Sequence, residues 1–202
     1  TMLATGGSAV VAKKMGSGRT KEARSNFTLI IITGIITGLI ITVMGLLFLD
    51  EIIWGLGASE ILFPYCKDYL IIQLLFVIGN IMQVLYQNLF VTAGKPTLGL
   101  VLSILAGIAN IVFDYVFIVL LKMGIKGAAL GTGIGYMIPT VIGTVFFFSC
   151  RSELHFCKPK MDADVLVKSC SNGVSEMVSQ LSTAVTTFLF NATMMKLSGE
   201  DG

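Results

Sequence analysis

Five apolar stretches of about 20 residues or more, roughly 27–49, 69–92, 97–121, 127–149 and 170–195, leave this chain few ways to fold. Each is long enough to cross the roughly 30 Å apolar layer of a bilayer as a helix. The runs are too long and too uniformly apolar for barrel strands, which alternate over about ten residues. The composition agrees: 54% of the 202 residues are hydrophobic and 13% charged, about half the charged fraction of a soluble domain. The expected fold class is all-α, a polytopic membrane helix bundle. A net charge of +2 gives no electrostatic footprint for nucleic acid; the expected surroundings are the lipid bilayer.

The segments between the runs alternate in charge. Lys13, Lys14, Arg19, Lys21 and Arg24, then Lys95, then Arg151, Lys158, Lys160 and Lys168 fall on one side. The other side holds Lys67, Lys122, Lys126 and Lys196, with acids such as Asp50, Glu51 and Glu60. The positive-inside rule makes segments 12–26, 93–96 and 150–168 cytoplasmic in an inner (plasma) membrane. The same cations also suit anionic lipid headgroups. Residues 1–11 read as the tail of a further span, and the last residues as a loop after one. The chain therefore reads as a piece of a longer protein.

Within the spans, Gly34 and Gly38 form one GxxxG pair, and Gly127, Gly131 and Gly135 a longer stripe. Such spacing is expected of close helix packing, with or without a functional role. Pro96 opens the third span, where its missing N–H costs nothing. Pro139 lies inside the fourth and is expected to kink it.

Asp114 is the only charge in 98–121, and Asn110, four residues earlier, shares its helix face. A carboxylate inside a membrane costs roughly 2.5–3.5 kcal/mol even on the most permissive scale, so it marks a functional site by default. The turn at 122–126 is short, so the flanking helices run antiparallel. At 1.5 Å per residue, Asp114 and Thr132 lie about 12 and 9 Å below the same end, and Asn110 about 6 Å deeper. A carboxylate, an amide, a hydroxyl and a backbone carbonyl at that depth suit a hard cation or a proton. The alternative is a neutral structural acid bonded to Asn110 or Tyr115.

Glu176 lies about two turns into the last span, with Gln180 on its face; it is either a second site or an acid favoured by the helix start. Asn80, Gln83 and Gln87 fall on one face of the second full span, lining a cavity or joining helices. Trp54 and Tyr65 read as interface anchors, and Phe146–Phe148 as lipid-facing or core. Cys66, Cys150, Cys157 and Cys170, with the lone His155, match no zinc spacing and read as unpaired thiols. No cofactor is expected beyond H⁺ or Na⁺.

Read in order, GGSAVVAKKMGSGRTKEA, YLIIQL, TAGKPT, NIVFD, KGAALGT and SNGVSE resemble the multidrug and toxic compound extrusion (MATE) family, and most of all its bacterial MepA-like branch. The resemblance covers the whole chain. It implies helices two to six of a six-helix N-lobe (1–150), an inter-lobe loop (151–168) and helix seven opening the C-lobe (169–202). It also implies an ion site of Asn110, Asp114, the Ala128 carbonyl and Thr132, completed by an acid on helix one, which lies outside the chain. Glu176 matches the helix-seven acid of members with a C-lobe cation site.

The expected function is a cation-coupled (H⁺ or Na⁺) multidrug antiporter, not an enzyme. It would export small organic cations by alternating access as a monomer of the full-length chain, with Asn80, Gln83, Gln87 and Gln180 toward the substrate. A lipid-linked precursor or polysaccharide flippase of the same superfamily would need a basic central cavity, and these spans hold almost no Lys or Arg. An intramembrane enzyme would need a nucleophile–base pair or metal set at membrane depth, yet the only histidine lies in a loop. A purely structural or channel-forming bundle would give no gradient-driven flux.

Overall fold

A computed structural model describes residues 1–56, 59–149, 153–159 and 162–198. Among them every regular element is helical: α1 (Met2–Gly16), α2 (Thr20–Leu47), α3 (Leu49–Gly55), α4 (Phe63–Leu75), α5 (Val77–Thr92), α6 (Pro96–Asp114), a π-helical turn (Tyr115–Leu120), α7 (Ile125–Phe148) and α8 (Ala163–Ser198). Cys150, Arg151, Lys160 and the Lys196 side chain lie outside the described residues.

The described helices form an all-α bundle whose outer faces suit lipid. Ile36, Leu39, Ile40, Val43, Met44 and Leu47 of α2 are about half exposed or more, as are Ile104, Ile108, Ile111 and Val112 of α6. Apolar surface of that extent is disfavoured in water. Among the described residues, three helices are long and apolar enough to cross a membrane: Thr20–Leu47, Pro96–Leu120 and Ile125–Phe148.

The expected span at 69–92 is a broken one. α4 and α5 meet at Phe76 with a bend of 51°, although neither Pro nor Gly stands there. The cause is tertiary. Phe76 turns its ring onto Gly133 of α7, where a Cβ would overlap it. Hydroxyls from two neighbours serve carbonyls on either side of the break: Thr42 Oγ1 donates to Leu74 O and Thr140 Oγ1 to Gly79 O, both at 2.9 Å. Side chains that reach the backbone in this way stabilise kinks. Pro139 lies inside α7, which stays helical from Ile125 to Phe148.

The last expected span, 170–195, lies within the 36-residue α8. Among the described residues this helix is not apolar enough to count as a crossing by composition. Its hydroxyls are largely turned inward on its own backbone. Ser169, Ser179, Thr183, Thr186, Thr187 and Thr193 each donate to the carbonyl four residues back, at 2.8–3.1 Å. Such back-bonding hides a donor without any partner helix.

The core lies toward the basic end, between α1, α2, α5 and α7. Phe147 is fully buried and meets Phe27, Phe90 and Tyr86 at ring-centroid distances of 4.9, 5.2 and 5.6 Å. Of the expected 146–148 run, Phe147 is therefore core while Phe148 is 65% exposed. Gly34 and Gly38 pack on α5, against Leu85, Ile81 and Ile78. Residues 153–159 close this end. Leu154 is buried, Phe156 packs 5.1 Å from Phe27, and Arg24 Nε donates to Glu153 O at 2.7 Å. α8 packs chiefly on α1.

Charge separates between the two ends. On the side opposite the basic cluster, Lys67 pairs with Asp50 at 2.7 Å and Lys126 with Asp68 at 3.1 Å.

Candidate functional site

The inner side of α6 begins small and becomes polar. Gly99, Leu102 and Ala106 are its buried residues; Asn110 and Asp114 continue that side at four-residue steps. The glycines of α7 meet it in antiparallel order. A Cβ at Gly127 would stand 2.9 Å from Phe117 Cβ, one at Gly131 would overlap Asp114 Oδ1, and one at Gly135 would lie 3.5 Å from Asn110 Cβ. The stripe is thus the floor on which the polar side chains of α6 rest.

On that floor Asn110 Nδ2 donates to Thr132 Oγ1 at 3.2 Å. Asp114 Oδ1 is buried and has no hydrogen-bond partner among the described residues. Neither expected structural partner reaches that oxygen: Asn110 spends its amide on Thr132, and Tyr115 is 57% exposed. A buried acceptor without a donor costs about 1–3 kcal/mol, so this oxygen stands where a proton or cation would relieve it. Ala128 lies one turn before Thr132 on α7.

Directly after Asp114 the helix widens into the π-helical turn Tyr115–Leu120. π turns are rare and occur mostly as single turns, often at functional sites. The connection to α7 then closes tightly, with Lys122 at φ 51° and Gly124 at φ 59°.

One turn below the acid lies a cavity of about 300 Å³. Its polar lining comes from Gln83 of α5, Ser103 and Asn110 of α6, and Thr132 and Tyr136 of α7. Gln83 Oε1 is a second buried acceptor without a partner among the described residues. Asn110 and Thr132 thus belong both to the cavity and to the surroundings of Asp114.

The expected cavity set is only partly assembled here. Gln83 lines the cavity. Gln87 is tied to Ser103 Oγ at 2.8 Å and lies outside its lining, and Asn80 is exposed. All three lie on α5 beyond the 51° break, so the bend does not separate them; Gln87 is held away from the cavity by its bond to Ser103. Gln180 and Glu176 pair with each other on α8, Gln180 Nε2 to Glu176 Oε1 at 3.0 Å. Because α8 packs chiefly on α1, neither joins the Asp114 group. Ser103 and Tyr136 were not among the expected residues, although spacing could have found them: Ser103–Gly107–Asn110–Asp114 on one helix and Thr132–Tyr136 on the next. The role of Gly131 has no such signal beyond the stripe.

A family model, MatE, matches residues 1–116. The chain belongs to the MatE family. Among curated MatE relatives, the "Multidrug export protein MepA" of Staphylococcus haemolyticus (strain JCSC1435) is 27% identical over 155 residues, 77% of this chain and 34% of that protein. The protein of the same name from Staphylococcus saprophyticus is 20% identical over 190 residues, 92% of this chain and 42% of that protein. The chain therefore spans well under half the length of these relatives. Among solved structures, one titled as the inward-facing conformation of a multidrug resistance MATE family transporter superposes with a TM-score of 0.93 at 21% identity, covering 98% of this chain and 46% of that one. The outward-facing structure of the same title gives 0.87 over 98% and 45%. The described helices thus share the fold of these MATE-type structures.

Proposed function

We propose that the full-length protein exports small organic cations across the cell's inner (plasma) membrane in exchange for H⁺ or Na⁺, acting as a monomer by alternating access. One observation carries this reading: the buried, unpartnered Asp114 Oδ1 on its glycine floor, beside the Asn110–Thr132 pair. Carboxylate, amide and hydroxyl oxygens are the donors a hard cation takes. The names of the curated relatives, multidrug export proteins, favour drugs as cargo.

The coupling ion binds at Asp114 and cancels its charge. The cancelled charge no longer opposes tight packing of α6 on α7, which biases the helices toward one arrangement of the cavity. The cavity between Gln83, Ser103, Asn110, Thr132 and Tyr136 offers a wall for an organic molecule. Ion and cargo exchange because each stabilises a different arrangement. The Ala128 carbonyl and an acid on helix one of the full-length protein complete the ion's oxygen shell, and Glu176 with Gln180 forms a second cation site on α8. In this reading α8 is the first helix of a second lobe, and the connection between lobes runs from 151 only to the start of α8, since 163–168, expected in the loop, are helical.

The test is gradient-driven efflux by the full-length protein carrying Asp114→Asn. Export falls to background while the purified protein keeps its melting temperature. Undiminished coupled export by a folded variant removes Asp114 from the mechanism.

A further inference from the structure

At the basic end, α1, the turn after it and the start of α8 enclose a pocket of about 410 Å³. Its polar lining is Lys13, Lys14, Arg19, Lys168 and Asn172, with Ala9 and Val10 as an apolar wall. All five polar side chains donate hydrogen bonds, and no carboxylate lines the pocket. Three acids stand near it: Glu22 pairs with Lys14 and lies 3.7 Å from Arg19, Asp164 pairs with Lys168, and Asp162 also acts on the Lys168 charge. Four cations against these three carboxylates still leave positive charge unbalanced. Lys13 makes no ion pair among the described residues. The opposite end differs, since the lining there includes Asp50 and Glu51 beside Lys67.

The size argues against a simple halide. A water takes about 30 Å³ of liquid volume, and this pocket has room for a tetrahedral oxyanion with a group attached. Ammonium and guanidinium groups around one point are the usual setting for phosphate. The cations also come from two sides of a helix crossing, Lys13, Lys14 and Arg19 from α1 and its turn, Lys168 from α8. On the far side of that crossing α1 and α8 touch backbone to backbone, at Gly6 with Ser169 and at Gly173 with Met2.

We propose that this pocket binds a phosphate group, carried by an anionic phospholipid or free in solution, and that the bound phosphate clamps α8 onto α1. Only the packed crossing brings all four cations together, so occupancy favours that packing. The site is independent of Asp114 and of the transported compound.

The experiment uses the purified full-length protein in a neutral detergent, titrated separately with short-chain phosphatidylglycerol, with the matching phosphatidylcholine and with inorganic phosphate. Binding is read by native mass spectrometry and by melting temperature. Phosphatidylglycerol is expected to bind and raise the melting temperature while phosphatidylcholine does neither. A response to phosphatidylglycerol alone identifies a lipid phosphodiester, and an equal response to inorganic phosphate identifies a soluble phosphate; both support the site. Lys13→Gln breaks no ion pair and should weaken binding about fivefold, with a similar loss for each further charge removed at Arg19 and Lys168. Lys95→Gln, a basic residue at the same end but outside the pocket, should leave it unchanged. The proposal is overturned if neither anion shifts the protein relative to phosphatidylcholine. It is equally overturned if Lys13→Gln binds as tightly as the parent, or if Lys95→Gln loses as much as Lys13→Gln.

Discussion

Gly131 makes room for a side chain where α6 meets α7, whereas Gly6 and Gly173 make room for backbone where α1 crosses α8. A Cβ on Gly131 would overlap the carboxylate of Asp114, although one on neighbouring Gly127 would already stand 3.0 Å from Phe117 backbone. At the α1–α8 crossing, a Cβ on Gly6 would overlap the Ser169 carbonyl oxygen and one on Gly173 that of Met2. A side chain can rotate away from an intruding methyl, whereas a helical carbonyl can move only with its helix. Small-residue spacing in a membrane sequence therefore reports closeness, while the atoms opposite decide whether the closeness serves packing or a site.

That contrast can be broken by substitution. Gly6→Val or Gly173→Val should have the largest effect, forcing α1 and α8 apart at a cost of about 3 kcal/mol and lowering the melting temperature. Gly131→Ala should cost less stability, about 1 kcal/mol, because Asp114 can turn aside. Its effect should fall instead on coupled export, which drops sharply in a protein that still melts near the parent temperature. If Gly131→Ala unfolds the protein as readily as Gly6→Val, the two crossings do not differ as argued. Thr42→Val should remove the donor to Leu74 O beside the α4–α5 break and cost about 1 kcal/mol, read as a loss of chemical-denaturation midpoint. The smallest effect belongs to Thr132→Val, which breaks the bond from Asn110 for about 0.6 kcal/mol. Ion affinity measured on that variant should fall further than stability does, since the hydroxyl oxygen is lost as well.

Much of this was legible in the residues. The short 122–126 turn was enough to make α6 and α7 antiparallel neighbours, but the depths it gave set Thr132 level with Asp114 and Asn110 about 6 Å deeper, whereas Thr132 accepts from Asn110. The length of the apolar runs located α2, α6 and α7. What escaped depends on contacts between segments distant in sequence. The break at Phe76 arises because Gly133, Thr42 and Thr140 come from other helices, and nothing local to VIGNIMQ announces it. The docking of Leu154 and Phe156 onto Phe27 was equally hidden, since a short loop segment carries no periodicity.

The π turn after Asp114 holds one residue more than the α-helix before it would need for the same circuit. Handing that extra residue back along α6 would rotate each side chain it passes by about 100°, one residue's share of a turn. Asp114 stands at the border and would be the first to swing off Gly131, leaving the far end of the helix where it was. The helix thus carries its own slack, one residue deep, stored next to its only charge.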